Sequence, residues 1–195
     1  MEGSGVIDLN RLYDEKEIFG FFSEQFCYPE EIPVTLAELD ESIPKTHPSY
    51  PHLHAYIANT EHKTLYEMQT MYTALFDFQK DATLYMTYVK FEDSKGRGQM
   101  LARLKVMYEM FGLNMPPGEL ADLLPLMCEF IYAAEWKGDP RAQDSMALLL
   151  AVLEDGSYHL MNALEKYESV YYHLVRGMRE TFKSCITKQE VHAND

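Results

Sequence analysis

The stretch from Gln99 to Phe111, Gln-Met-Leu-Ala-Arg-Leu-Lys-Val-Met-Tyr-Glu-Met-Phe, decides the fold class. Met100, Leu104, Met107 and Phe111 fall at i, i+4, i+7 and i+11, and Leu101 and Tyr108 widen the stripe. Arg103, Lys105 and Glu109 take the other side, so the segment reads as an amphipathic helix. Gly112 follows it, where a left-handed residue commonly closes the last turn.

The same period extends in both directions. Upstream, Asp8 to Phe26 reads as one helix that buries Leu12, Ile18, Phe19, Phe22 and Phe26 and ends at Tyr28-Pro29, and Pro33 to Ile43 reads as a short second one. Pro44, Pro48 and Pro51 punctuate a connection before Leu53 to Ala58, and Glu61 to Phe78 turns Leu65, Met68, Tyr72, Leu75 and Phe76 inward. Ala82 to Phe91 carries strand-forming Thr83, Tyr85, Thr87, Tyr88 and Val89, but no second strand candidate offers it a partner, so helix is expected. Downstream of the turn Met115-Pro116-Pro117-Gly118, a helix is expected within Glu119 to Glu135, capped by Asp122 with Pro125 in its first turn, where the missing N–H costs nothing. Asp139-Pro140 opens a long helix that Asp155-Gly156 is expected to break; a further stretch holds Leu160, Met161, Leu164 and Tyr167, and a last one runs from about Val170 to Ser184. The expected architecture is all-α: a single bundle of about eight or nine helices over residues 1–187, with 188–195 as a polar tail.

Composition narrows the function classes. The chain has 195 residues, 47% hydrophobic and 25% charged, the balance of a folded domain and not of a disordered or collagenous chain. Seventeen Lys plus Arg against 31 Asp plus Glu give a net charge of −14, which repels nucleic acid and anionic lipid and favours a cationic partner. Residues 1–45 hold eleven of the acidic and three of the basic side chains, so the acidic pole lies there. Cys27, Cys128 and Cys185 are odd in number and widely spaced, no basic-then-apolar leader opens the sequence, and no apolar run approaches the roughly 18 residues of a membrane span. A cytoplasmic protein without membrane insertion is expected.

Signals for chemistry are sparse. The glycine pair Gly96-Arg97-Gly98 makes no phosphate-binding loop, Gly3-Ser4-Gly5 makes no nucleophile elbow, and Glu-x-x-His, needed twice for a di-iron bundle, does not occur. His47, His52, His54 and His62 cluster around the proline-rich connection without an acidic ligand at fixed spacing, and His159 and His173 read as polar members of helix faces. Cys128, between Met127 and Phe130, reads as buried and inert. A binding protein is therefore expected, with no cofactor and no metal site of its own.

The central third is the most specific part. It contains Tyr72-Thr-Ala-Leu-Phe-Asp77, Thr83-Leu-Tyr-Met-Thr-Tyr88, Asp93-Ser-Lys-Gly-Arg-Gly98 and Glu119-Leu-Ala-Asp-Leu-Leu-Pro-Leu-Met-Cys-Glu-Phe130. In that order and spacing the chain resembles the NarJ-type chaperones that assemble the molybdenum cofactor into respiratory nitrate reductase, within the TorD-like superfamily of redox-enzyme maturation proteins. The resemblance spans about Tyr13 to Phe182, and Ala121 stands where the family has proline. It implies a TorD-like all-α fold, a cytoplasmic location and no catalysis. It also implies binding of the N-terminal segment of the apo catalytic (alpha) subunit, held for cofactor insertion before membrane docking, with molybdenum cofactor biosynthesis proteins as further partners.

Twelve Met and 24 Phe plus Tyr exceed what one small core needs, and Met-rich surfaces adapt to imperfectly matched apolar peptides. The groove for such a peptide is expected to use Tyr72, Phe76, Tyr85, Tyr88 and Leu123, with Asp77, Glu119 and Asp122 as acidic or capping neighbours. Asp93, Arg97 and Arg103 are expected to form a structural ion-pair cluster. Two other readings remain at this point: a chaperone or adaptor for another molybdoenzyme or client, and an enzyme recognisable by turnover or bound metal.

Overall fold

In the computed structural model, which describes residues 6–91 and 94–187, nine α-helices carry the chain. They are α1 (Leu9–Asp14), α2 (Lys16–Phe26), α3 (Leu36–Ser42), α4 (Tyr50–Ala58), α5 (Leu65–Tyr72), α6 (Ser94–Met110), α7 (Leu124–Ala133), α8 (Ala142–Lys166) and α9 (Tyr171–Ser184). One turn of π-helix, Thr73–Asp77, extends α5, and two short antiparallel strands, β1 (Val6–Ile7) and β2 (Ile186–Thr187), join the two ends of the described chain. The all-α expectation holds; the small strand pair was not anticipated, since Val6–Ile7 lies in what reads as a polar lead-in. The expected tail, 188–195, and Asp93 lie outside the described residues.

Local chemistry sets the starts of α1, α3 and α5. Asp8 accepts from the backbone N–H groups of Asn10 and Arg11, and Thr35 with Glu38 and Thr64 with Glu67 form reciprocal capping boxes. Packing then orders the bundle: α2 lies along α7, α4 against α9, and α9 against α8. Phe19, Phe22 and Phe26 of α2 are wholly buried, as are Leu124, Met127 and Ile131 of α7. At about 25 cal/mol per Å² of apolar surface, such burial is the main force holding the helices together. Among the described residues no helix is long and apolar enough to cross a membrane.

Four sequence expectations are corrected. The Asp8–Phe26 helix is two helices that meet at Glu15, although all five of its predicted core residues are buried. Ala82–Phe91 is not helical. Tyr85 instead makes an isolated antiparallel bridge to Leu123 in the chain before α7, with Met86 N–H to Asp122 O (2.9 Å) and Leu124 N–H to Leu84 O (2.8 Å), and 86–90 are turns. Ala82, Leu84 and Met86 are buried alternately, which is the period of a strand and not of a helix. Asp122 does not cap α7: Leu123 holds the cap position with no side-chain bond, while Pro125 does sit in the first turn as expected.

The fourth correction concerns Asp155-Gly156, which lies inside an unbroken α8. A Cβ on Gly156 would come within 2.5 Å of the Met86 carbonyl oxygen, and Asp155 pairs with Lys90 at 3.4 Å. The pair that resembles a helix stop is instead the seat on which the 84–90 segment rests. Gly156→Ala removes the entropic penalty of a helical glycine, about 0.5–1 kcal/mol, but forces backbone against backbone, which costs about 1–3 kcal/mol. Net destabilisation of about 1–2 kcal/mol is expected in urea unfolding; an unchanged or raised midpoint would contradict this packing.

Candidate functional site

Two neighbouring groups of side chains occupy the side of the bundle where the π-helical turn lies. The first is an aromatic wall. The Tyr72 ring lies 4.8 Å from Phe76, 5.6 Å edge-on from Tyr28 and 6.3 Å from Tyr171, and Phe76 stands 5.0 Å from Tyr171. The Tyr72 hydroxyl donates to the Phe26 carbonyl at 3.1 Å, which fixes the ring against the end of α2. The extra residue of the π turn sets the register that buries Leu75 and leaves Phe76 half-buried against Tyr171.

Beside this wall opens a cleft of about 600 Å³. Its floor includes Tyr56, Met68 and Tyr171, and its lip is the last turn of α2 with Glu24 and the segment between α2 and α3 with Glu30, Glu31 and an Ile32 that is 81% exposed. The potential there is negative. The Cys27 thiol is pushed up first by burial and then by Glu129, Glu24 and Glu30. The Tyr72 phenol is pushed up mainly by burial, with Cys27, Tyr171, Asp77 and Tyr85 adding to it. Asp77 and Tyr85 therefore lie within electrostatic reach of the wall.

The second group is a polar clasp around Asp122, whose side chain is fully buried. Its Oδ2 accepts from the Thr87 backbone N–H at 3.1 Å, from the Thr87 hydroxyl and from Arg97 Nη2 at 3.3 Å. Arg97 Nε donates to Thr87 Oγ1 at 3.1 Å, and its guanidinium lies 5.6 Å over the Tyr88 ring. Tyr85 donates to Glu119 at 3.1 Å, and Tyr85 bridges Leu123 across the backbone. The clasp thus ties the 84–88 segment, the turn before α7 and the first turns of α6 into one unit.

The eight predicted groove residues are therefore placed unequally. Tyr72 and Phe76 form the wall, Asp77 is exposed at its end, and Tyr88 is half exposed on top of Arg97. Tyr85, Glu119 and Leu123 are held at the edge of the clasp. Asp122 offers no carboxylate to solvent, so its expected place as an acidic neighbour of a ligand gives way to a positioning role behind Tyr85 and Tyr88. Of the expected ion-pair cluster, Arg97 pairs with Asp122, while Arg103 sits apart on the α6–α8 face beside Asp144. Sequence reasoning missed Tyr28, Tyr56, Tyr171 and the Glu24–Val34 lip; the concentration of acid in residues 1–45 was the one signal that pointed there.

The other candidates for chemistry resolve into structure. Cys128 is wholly buried against Met178 Sδ at 3.6 Å, and burial holds its thiol far above the ordinary range, as expected of an inert cysteine. His47 bridges Glu15 at 2.9 Å and Ser49 at 2.7 Å, and His52 stacks on His173. Among the described residues no three His, Cys, Asp or Glu side chains are grouped to hold a metal ion.

A helical bundle with this clasp at its centre has relatives. The sequence profile of the nitrate reductase delta subunit family matches residues 37–167, which hold the whole clasp together with Tyr72 and Phe76. The chain belongs to that family. It is 32% identical over 120 residues to the probable nitrate reductase molybdenum cofactor assembly chaperone NarJ of Bacillus subtilis, a match covering 62% of this chain and 61% of that one. It is also 29% identical over 112 residues, 57% of the chain, to the nitrate reductase-like protein NarX of Mycobacterium tuberculosis, of which this covers 16%. The chain thus spans less than two thirds of either relative. The acidic lip and Tyr171 fall outside the residues matched by the family.

Asp122→Ala would leave the buried Thr87 hydroxyl and the Arg97 guanidinium without their shared acceptor. Removing one partner of a buried pair costs about 3–5 kcal/mol, and the partial exposure of Arg97, 23%, lowers the expected loss to about 2–3 kcal/mol. Denaturant unfolding measures it; a loss below about 0.5 kcal/mol, the level of an ordinary surface change, would remove the clasp from the account.

Proposed function

We propose that this protein is a system-specific chaperone for respiratory nitrate reductase. It binds the N-terminal segment of the apo alpha subunit in the cleft beside the aromatic wall, in the cytoplasm, and holds that subunit for molybdenum cofactor insertion before membrane docking. It catalyses no reaction itself, and molybdenum cofactor biosynthesis proteins are its further partners. Residues 1–187 act as one chaperone domain in this reading.

The observation that carries the proposal is the pairing of an open aromatic cleft with a lip of Glu24, Glu30 and Glu31. An amphipathic basic segment can lay its apolar side against Tyr72, Phe76 and Ile32 and turn its cations to that lip, which is the helix-in-groove mode of recognition. Tyr88, Tyr85, Leu123 and Glu119 extend the surface along the clasp, and Asp77 adds charge at its end. Family membership and the name of the Bacillus subtilis relative support nitrate reductase as the client.

Calorimetric titration with a peptide of the alpha-subunit N-terminus tests the proposal. Binding weakened by salt is expected, with losses of about 2 kcal/mol for Phe76→Ala and for Tyr88→Ala. Reversing charge at Glu30 and Glu31 together should lower the affinity and flatten its salt dependence. If both aromatic truncations leave peptide affinity and nitrate reductase activity unchanged in folded protein, the site assignment is wrong. Binding to a different molybdoenzyme leader instead would move the proposal to that client.

A further inference from the structure

Beside the cleft, α2 borders a second groove of about 420 Å³, which runs between α2, the turn after α3 and the end of α7. Its apolar surface comes from Ile18 and Phe21 of α2, Ile43 and Pro44 of the turn, and Tyr132, which is 40% exposed. Gly20 makes room for that ring: a Cβ there would stand 3.1 Å from Tyr132 Cγ, tighter than ordinary contact. The carboxylates of Asp14, Glu15, Glu17 and Glu24 line the same groove, and among the described residues no Lys or Arg does. His47 engages Glu15 at 2.9 Å, and the sequence neighbours Lys16 and Lys45 are paired with Glu135 and Asp40. Among the described residues Asp14, Glu17 and Glu24 have no salt-bridge or side-chain hydrogen-bond partner.

Glu24 belongs both to this groove and to the lip of the cleft. Glu17, Gly20, Phe21 and Glu24 fall at i, i+3, i+4 and i+7, so one side of α2 leads from the groove to the cleft. Glu17 and Glu24 stand two turns apart, about 10 Å, a distance that about three extended residues cover. Both openings set apolar side chains beside carboxylates, which suits a segment carrying apolar and basic residues together and repels an acidic one.

We propose that this groove is a second subsite for the client segment held in the cleft. The chain continues over Glu24, sets a basic residue among Asp14, Glu17 and Glu24, and lays an apolar one against Phe21 and Tyr132. This inference rests on the reading of the cleft as the site of the alpha-subunit N-terminus. The two subsites act together, because filling the first holds the chain at high local concentration over the second.

Calorimetric titration of the full chain with nested peptides of the alpha-subunit N-terminus, lengthened stepwise at either end, tests the proposal. Affinity is expected to step up by about tenfold or more once the peptide outgrows the cleft. The paired change Asp14→Asn with Glu17→Gln should abolish that step and lower the salt dependence of the long peptide, with the short peptide's affinity and the thermal midpoint unchanged. Tyr132→Ala should also abolish the step and spare the short peptide. Equal affinities at every length, or a step that survives either change, would overturn this inference and leave the cleft standing. Failure of every peptide to bind would overturn the cleft reading and this inference with it.

Discussion

The buried carboxylate of Asp122 is the constraint on which the rest depends. A carboxylate taken wholly out of water is costly unless charged and hydrogen-bonded partners surround it, and here they come from two distant stretches: Thr87 by backbone and hydroxyl, and Arg97 from the start of α6. These bonds all converge on Asp122 Oδ2, while Oδ1 is buried without a hydrogen-bond partner among the described residues, and they fix where the 84–88 segment lies. That placement brings Met86 onto Gly156, Lys90 to Asp155, and Tyr85 and Tyr88 to the surface beside the aromatic wall. The segments around Thr87, Arg97 and Asp122, on which the sequence resemblance rests, meet in space as this one clasp.

The electrostatics of the neighbouring cleft follow from the fold in a second way. The end of α2 and the chain leading to α3 present Glu24, Glu30 and Glu31 around an opening floored by aromatic rings and Met68. The rings beside the opening and the negative charge at its lip suit a ligand with an apolar side and a basic side. The Cys27 thiol, pushed up first by burial, is also raised by Glu129, Glu24 and Glu30. The wall, Tyr72 with Phe76 and Tyr171, is stiff because each ring is wedged by the next, and stiffness of this kind lowers the entropic cost of binding.

Helices were legible wherever one face alone was buried, as in Gln99–Phe111 or in α9. The errors arose where a residue type had two physical uses. Gly156 reads as a helix stop when only the chain's own conformation is considered, but it is required by a close approach from Met86, which no local pattern announces. Thr83 to Val89 reads as helix for want of a strand partner, but only Tyr85 bridges Leu123 and the residues after it turn, a contact too short for any periodicity to announce. Tyr72 and Phe76, expected together from the resemblance, do meet in one aromatic wall. Tyr28, Tyr56 and Tyr171, from the loop after α2, α4 and α9, are gathered beside them only by the folded bundle.

Hydrogen exchange on the full chain, with and without the alpha-subunit N-terminal peptide, tests the central claim most directly. The account predicts new protection concentrated in residues 24–34 and 68–77, with weaker protection at 85–88. Peptide binding that protects none of these stretches, or protects the α6–α8 face instead, would contradict it.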